Sequence, residues 1–144
     1  MNQIPVIVVG AGGHGLVVAD SLLAQGRDVL GYVDADAAMQ GQALLGRPVL
    51  GDDAVLEQHR KDAIELANGI GGAGDLASVE NGSSRRRVQE RLEAAGWRFA
   101  SVIHPQAIVS VHAVVEPGAQ VLAGAVVQAL ARIERGAIVN TRAV

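Results

Sequence analysis

Residues 103–144 read IHPQAIVSVHAVVEPGAQVLAGAVVQALARIERGAIVNTRAV, and this stretch decides the fold because it repeats every six residues. One position of each hexad is always aliphatic: Ile103, Val109, Val115, Val121, Val127, Ile133 and Val139. Four residues further on, a second series from Ala107 to Ala143 is always alanine. A helix would place residues six apart on opposite sides, and a plain strand would show a period of two. The hexads instead predict a parallel coil of three short strands per turn, with aliphatic side chains at the axis and alanine in the tight corners.

The same register assigns the polar side chains of the repeat to the outside of the coil. Gln120 and Gln128 stand next to the axial Val121 and Val127, and His112 also falls on an outward position. We therefore expect these three side chains to face solvent.

Composition limits what kind of protein this is. The 144-residue chain is 49% hydrophobic but only 2% aromatic, so its core must consist of small aliphatic side chains, as in parallel sheets and stacked coils. The net charge of -3 argues against a nucleic-acid interface. The absence of cysteine excludes disulfides and thiolate chemistry. Without a basic amino-terminal leader or a long apolar run, a soluble cytoplasmic protein is expected.

The first hundred residues alternate between strand and helix patterns. The predicted strands cover residues 4–9, 29–33, 64–70 and 97–103, and the predicted helices cover residues 16–24, 52–60 and 83–95. Asp52 or Asp53 caps the second helix and Ser83 or Ser84 caps the third. Residues 35–51 are interpreted as an extended excursion because they are rich in Gly and Ala. This order predicts a small open parallel sheet with helices on both faces, ending near residues 100–104.

A glycine loop lies between the first strand and the first helix. Gly10, Gly12 and Gly15 have the spacing of a dinucleotide-binding loop, and Asp34 ends the next strand. Glycines let backbone N–H groups and the positive helix end approach a diphosphate, and an acidic residue can then accept from a ribose hydroxyl or a base N–H. The spacing fits a dinucleotide and a nucleotide sugar equally well, and it is also compatible with a simple tight turn. We expect Gly12 to need the positive φ that such loops often use.

Other polar residues divide between ligand and structural roles. His14 sits inside the glycine loop, where a core histidine has little to pack against, so it is expected to face a ligand. His104 precedes Pro105 at the junction and is expected to make a structural hydrogen bond. Arg85, Arg86 and Arg87 are placed at a helix start, as a solvated face or, alternatively, a phosphate contact.

The chain resembles the hexapeptide-repeat sugar acyltransferases, of the sialic acid O-acetyltransferase and UDP-amino-sugar N-acetyltransferase kind. The motifs that carry the resemblance are GAGGHG at 10–15, YVD at 32–34, SVIHP at 101–105 and VNT at 139–141. The resemblance implies a Rossmann-like nucleotide-sugar-binding domain over residues 1–102 and an incomplete left-handed parallel β-helix over residues 103–144. It also implies homotrimers and acetyl-CoA as co-substrate, without a metal.

The resemblance also assigns the site. Gly12, Gly13 and His14 would hold the acceptor at the loop, Asp34 would contact the nucleoside, and Gly71 would face the ligand from a second glycine loop, residues 71–74. Asn140 would face the reacting group of a UDP-amino-sugar or related acceptor. Two other functions stay open: a nucleotide-sugar-binding module without catalysis, and an NAD-binding domain.

The family's catalytic histidine follows the VNT motif, and this sequence stops at Val144 before that position. We therefore assign no catalytic residue to the chain and expect it to be a truncated piece of a longer acyltransferase, inactive alone. Arg142 stands where the family has a small residue, which puts the corner geometry there in question.

Overall fold

A five-stranded sheet forms the amino-terminal part of the chain, in a computed structural model that describes residues 3–71 and 78–143, without the side chains of residues 78–83. Its strands are β1 (Val6–Val9), β2 (Val29–Val33), β3 (Ala43–Leu44), β4 (Arg47–Gly51) and β5 (Glu65–Asn68). The order across the sheet is β3-β4-β2-β1-β5. All neighbours pair in parallel except β3, which is antiparallel to β4. The predicted α/β class and Rossmann-like parallel sheet are thus confirmed.

The two helices cover opposite faces of this sheet. Helix α1 spans Gly13–Ala24 and helix α2 spans Ser78–Ala94. Val6 and Val8 of β1 pack in one buried cluster with α1, and Ile7 and Val9 pack in another that contains Leu92 of α2. Since successive side chains of a strand point to opposite faces, β1 is buried on both sides, which explains its unbroken run of β-branched residues.

The interpretation of residues 35–51 as an extended excursion did not identify the two strands and the short helix that this segment forms. The segment contains a short 3-10 helix at Ala37–Met39 and the hairpin of β3 and β4, and β4 joins the sheet beside β2. The sequence signal was weak because only Val49 and Gly51 of β4 are buried. A half-exposed edge strand with a proline does not show the apolar run of a central strand.

Helix boundaries also differ from the expectation. Helix α1 begins at Gly13 and not at residue 16. The predicted helix after Asp52 is a 3-10 helix, Asp53–Gln58, and Asp52 does cap it by accepting from the N–H of Ala54. Helix α2 begins at Ser78, before the expected Ser83 or Ser84. Its first residues include serine, asparagine and glycine, whose low helix propensity did not indicate the earlier start. The strand expected at 97–103 is reduced to a single bridge between Phe99 and Leu66 and to β6, Val102–Ile103.

The hexads form a parallel β-helix, as predicted. Every hexad contributes one two-residue strand, and the residue of the axial aliphatic series is the second of the two. The strands are β6 (Val102–Ile103), β7 (Ile108–Val109), β8 (Val114–Val115), β9 (Gln120–Val121), β10 (Val126–Val127), β11 (Arg132–Ile133) and β12 (Ile138–Val139). Strands three hexads apart pair in parallel, such as Val127 with Val109 and Val139 with Val121. Val121 and Val127 are buried at the axis together with Ala125.

Each corner of the coil is a β-turn that ends at alanine. The N–H of Ala125, for example, donates to the carbonyl of Leu122, and the same bond recurs at the other corners. The residue before the alanine has a positive φ at Gly118, Gly124 and Gly136, and also at Leu130 and Arg142. The corner at Arg142 keeps the common geometry, since Ala143 N still donates to the carbonyl of Asn140 at 3.0 Å.

One face of the β-helix packs on the sheet. Val102 of β6 is buried in the same cluster as Val18 and Leu22 of α1, while Ile103 contacts the cluster at the coil axis. Because β6 contributes to both cores, the boundary between residues 102 and 103 stays a prediction. Within residues 3–71 and 78–143, no helix has the length and apolarity needed to cross a bilayer.

Candidate acceptor-binding site

The amino-terminal end of α1 has no side-chain cap and borders open space. Gly12 is its N-cap residue and makes no side-chain capping bond. A Cβ built on Gly12 or Gly13 meets nothing within 4 Å, so both residues border open space. The first N–H groups of a helix have no partner inside the helix, and the helix dipole makes this end favourable for anions. The loop can therefore receive a phosphate group.

The other glycines of the loop are required by packing. Gly10 has φ +102°, and a Cβ on Gly15 would lie 2.1 Å from the carbonyl oxygen of Gly10. A Cβ on Gly69, which follows β5, would lie 2.7 Å from the same oxygen. The expectation of a positive φ at Gly12 was wrong, since its φ is -85°. Gly10 and Gly15 thus build the close approach of loop, helix and sheet, and Gly12 and Gly13 leave the space above it free.

Asp34 holds the glycine loop to the end of β2. One carboxylate oxygen accepts from the N–H of Ala11 at 2.8 Å, and the other accepts from the N–H of Asp36 at 2.8 Å. Each carboxylate oxygen has a second lone pair. Asp34 can therefore position the loop and still accept a hydrogen bond from a ligand beside it.

His14 contacts the β-helix. Its Nε2 lies 2.8 Å from Oε1 of Gln120, which belongs to β9. The expectation that Gln120 faces solvent was wrong, because this side chain is fully buried. The hexad register gives the direction relative to the coil axis, and it does not show which outer face the sheet covers. Gln128 and His112 are exposed as expected.

Several polar side chains form a hydrogen-bonded cluster that extends from His14 into the interior. We call His14, Asn68, Arg85, Gln89 and Gln120 the joint cluster, because they connect the sheet, α2 and the β-helix. Gln120 Nε2 donates to the carbonyl of Asn68 at 2.8 Å. The Asn68 amide donates to Gln89 Oε1 at 3.0 Å and to the Arg85 carbonyl at 3.2 Å.

Arg85 is buried in the joint cluster, and its placement on a solvated helix start was wrong. It lies within α2, and its guanidinium donates to the carbonyls of Asn68, Ile70 and Gly136. Burial lowers the pKa of Arg85 to about 10, so it keeps its charge near neutral pH. Burial also lowers the pKa of His14 from its usual value, the hydrogen bond that the ring donates to Gln120 raises it, and the charge of Arg85 lowers it. The imidazole is therefore favoured in its neutral form.

Gly71 and Asn140 lie at the edges of this region. Gly71 is exposed, and a Cβ on it would lie 3.7 Å from the Cβ of His14, so it borders the same loop. The rest of the predicted second glycine loop, residues 72–74, lies outside the described residues. Asn140 is exposed just after β12, and its side-chain oxygen accepts from the N–H of Thr141 at 2.8 Å. Ile138 of β12 pairs with Gln120 of β9, and Asn140 follows Ile138 by two residues. Asn140 therefore lies near the joint cluster.

His104 accepts a hydrogen bond through Nδ1 from the N–H of Gln106 at 3.0 Å, which is the structural role expected of it. Among the described residues, no cluster of His, Asp and Glu side chains could hold a metal ion.

Asn68 and Gln89 were not singled out from the sequence, and Arg85 and Gln120 were assigned to solvent-facing positions. Asn68 ends a parallel strand at its carboxyl end, where ligand-facing polar residues collect, and this signal could have found it. Gln120 also interrupts a mostly aliphatic outward series that includes Val102, Ile108, Val114 and Val126.

Comparison with known proteins decides the family. Residues 5–92, more than half of the chain, match the PglD N-terminal domain family. The chain belongs to this family. The sugar acyltransferase resemblance drawn from the motifs is thereby confirmed, because solved structures of sugar acetyltransferases also match almost the whole chain. No curated protein sequence matches it.

Among the solved structures, a histidine-to-asparagine mutant of perosamine N-acetyltransferase from Caulobacter crescentus, in complex with CoA and GDP-perosamine, is 34% identical with a TM-score of 0.81. The match covers 96% of this PglD N-terminal family chain and 60% of that one. The acetyltransferase domain of PglB from Neisseria gonorrhoeae, in complex with acetyl coenzyme A, is 34% identical with a TM-score of 0.79, and the match covers 98% and 63% of the two chains. The chain thus spans about 60% of the length of the structures it matches.

Proposed function

We propose that this chain binds the nucleotide-linked amino sugar that accepts an acetyl group from acetyl-CoA. The bare amino terminus of α1, with Gly12 and Gly13 bordering open space, is the observation that carries the proposal. It offers unpaired backbone N–H groups to a diphosphate. The solved structures that bind GDP-perosamine and CoA, or acetyl-CoA, support the same assignment.

The residues around the loop fit the other parts of such a ligand. Asp34 would accept a hydrogen bond from the nucleoside, since each of its oxygens uses one lone pair on a backbone N–H. His14 and Gly71 would face the ligand from either side of the loop. Asn140, on the β-helix, would lie toward the reacting end of the sugar.

The acceptor is proposed as a nucleotide amino sugar in preference to a free sialic acid. A free sugar acid lacks the diphosphate that the helix end and the glycine loop would bind. The base is a separate matter: motif resemblance points to UDP, whereas the Caulobacter crescentus structure holds GDP-perosamine. Both nucleotides therefore belong in the test.

The geometry gives less support to an NAD-binding domain. A dinucleotide site needs two mononucleotide halves arranged around the strand where the sheet order reverses. Among the described residues, β5 is the last strand on its side of the sheet, and the next regular strand, β6, pairs within the β-helix. The sheet therefore provides one half of such a site.

The proposed transfer converts the sugar amine to an amide. The amine nitrogen attacks the thioester carbonyl of acetyl-CoA, the carbon–sulfur bond breaks, and CoA leaves as a thiolate that becomes the thiol by taking up the proton released from the amine. The amine loses one proton to a general base, and we assign no residue of this chain that role.

We also propose that the protein forms a homotrimer through the β-helix. Ile108, Val111, Val114 and Leu130 are all exposed on its outer surface, with Val111 91% and Leu130 89% accessible. The N–H of Leu130 donates to the carbonyl of His112 at 3.1 Å, so Leu130 lies beside Val111. Adjoining exposed aliphatic residues are typical of protein–protein interfaces.

Calorimetry tests the binding proposal. The chain is titrated with UDP- and GDP-linked 4-amino sugars, and with NAD and NADH for comparison. Binding of a nucleotide amino sugar, tighter than either dinucleotide, is expected, and tighter NAD binding would overturn the proposal. Acetyl transfer is measured with a protein in which the β-helix continues beyond Val144. Binding without any transfer in that protein would favour the non-catalytic module.

A further inference from the structure

The buried side chain of Gln120 has only one possible orientation. Its amide nitrogen lies 2.8 Å from the carbonyl oxygen of Asn68, which also accepts from Arg85. A carbonyl oxygen can only accept hydrogen bonds, so the Gln120 atom facing it must be the NH₂ group. Reversing the amide would place two oxygens against each other in a buried site. The other end of the amide, Oε1, must therefore face His14.

This orientation fixes the proton on His14. Oε1 of Gln120 can only accept, and it lies 2.8 Å from Nε2 of His14. The nitrogen opposite it must therefore carry a hydrogen. In a neutral imidazole only one nitrogen is protonated, which leaves Nδ1 with a free lone pair.

We infer that Gln120 is a positioning residue that holds His14 as the Nε2–H tautomer, so that Nδ1 accepts a hydrogen bond from a hydroxyl or amino group of the bound nucleotide sugar. The choice of ligand rests on the proposed function, whereas the tautomer does not. A phosphate oxygen cannot bind at such a nitrogen, because it also only accepts. The backbone N–H groups at the start of α1 would then bind the diphosphate, and His14 would select the part of the ligand that carries hydrogen-bond donors.

The surroundings support a neutral His14. The ring is half-buried, and the buried guanidinium of Arg85 lies in the same cluster. Both disfavour an imidazolium, and Gln120 is a neutral acceptor that does not demand one. Because Gln120 belongs to the β-helix, the position of the ring is set by the packing of the β-helix on the sheet.

Nitrogen NMR of the ligand-free chain tests the tautomer directly. The chain has four histidines, so the ring signals of His14 can be assigned from their loss in His14→Gln. Above the pKa of His14, Nδ1 is expected to give the signal of an unprotonated ring nitrogen and Nε2 that of a protonated one. The reverse pattern, or an even mixture, would overturn the inference without any variant of Gln120.

Two substitutions of Gln120 identify the group that matters. Gln120→Leu removes the acceptor and is expected to release His14 into a mixture of tautomers and to lower the affinity for the nucleotide amino sugar about tenfold. Gln120→Glu keeps an acceptor oxygen toward His14 but sets its second oxygen against the Asn68 carbonyl, so it is expected to keep the Nε2–H and raise the pKa of His14 while destabilising the folded chain. The matched control is Gln128→Leu, on the exposed part of the same coil, which should change neither measurement. Equal tautomers and affinities in Gln120→Leu and Gln128→Leu would contradict the role.

Ligand titrations separate this inference from the proposed function. A nucleotide amino sugar is expected to shift the Nδ1 signal, and inorganic pyrophosphate is expected to bind without protonating Nδ1. Protonation of Nδ1 by pyrophosphate would mean that His14 contacts phosphate, and would overturn the inference. If no nucleotide sugar binds, the proposed function fails, and the tautomer measured in the free chain still decides the role of Gln120.

Discussion

Oε1 of Gln120 lies 2.8 Å from Nε2 of His14, although 106 positions of sequence separate the two residues. This hydrogen bond connects the glycine loop of the sheet to the second coil of the β-helix. In the proposed enzyme the loop binds the acceptor, and the β-helix carries the VNT motif with Asn140. The relative placement of acceptor and β-helix therefore depends on the joint cluster.

The two kinds of glycine in the loop are expected to respond differently to substitution. Gly12→Val should leave the fold intact, since φ -85° suits any residue and no atom lies within 4 Å, but it should abolish diphosphate binding. Gly15→Ala should destabilise the chain by at least about 1 to 3 kcal/mol, because its Cβ would overlap the carbonyl of Gly10. Urea melts and calorimetry on both variants measure this. Normal ligand binding by a folded Gly12→Val would show that the loop is only a turn.

Asp34→Ala is expected to weaken nucleotide binding by about 1.5 to 3 kcal/mol, the contribution of a hydrogen bond to a charged group. It should also reduce stability, because the N–H of Ala11 loses its partner. Asp34→Asn keeps one acceptor oxygen and serves as the intermediate case. Calorimetry with a nucleotide sugar is the measurement, and unchanged affinity in Asp34→Ala would remove Asp34 from the site.

Stability is expected to fall with pH below the usual pKa of histidine, about 6.5, because of His14. Its pKa is lowered in the folded chain, mainly by burial, so the unfolded chain binds more protons in the interval between the two values. The contribution of neutral His14 is complete above about pH 6.5 and is lost as the pH falls toward the folded pKa.

Urea melts of the wild type and His14→Gln, compared at several pH values, isolate this effect because other groups titrate in both proteins. The wild type should lose stability relative to the variant as the pH falls. A difference that does not vary with pH would mean that His14 is not protected from protonation.

The hexad register is tested by three substitutions in the β-helix. Val121→Asp would bury a carboxyl group without a partner, which should cost at least several kcal/mol or force the group to stay protonated. Ala125→Leu should overpack a buried corner by about 1 to 3 kcal/mol, although leucine is more hydrophobic. Gln128→Asp, on the exposed surface, should stay within about 0.5 kcal/mol. Equal losses at Val121 and Gln128 in denaturant melts would contradict the register.

Leu130 is expected to report on self-association. It is 89% exposed and has φ 69°, a conformation that costs a side chain with a Cβ about 1 to 2 kcal/mol. Leu130→Gly should therefore stabilise the isolated chain while weakening the proposed trimer, as measured by melts and by analytical ultracentrifugation. Gly124→Ala adds a Cβ at another corner with φ 72° and should destabilise the chain. Unchanged self-association in Leu130→Gly would exclude this corner from the interface.

The sequence by itself determined the parts of the fold that repeat or alternate. A strict hexad leaves one geometry that directs every member of the aliphatic series from Ile103 to Val139 toward the axis, so the axis, the corners and the coil length all followed from spacing. The continuous β-branched run of β1 likewise identified a strand buried on both faces. The half-buried β4 gave no such run, and the start of α2 lies among residues of low helix propensity, so local patterns did not reveal either.

Only the tertiary structure decided which outward surfaces are covered. The hexad register directs both Gln120 and Gln128 away from the coil axis, yet Gln120 is buried against the sheet and Gln128 is exposed. Arg85 is likewise buried by the β-helix and by the end of β5, which lie far from it in sequence. Periodicity describes a side chain relative to its own element, whereas burial between elements depends on how they pack. The bond between His14 and Gln120 therefore could not be predicted from spacing, because it exists only where the sheet and the β-helix meet.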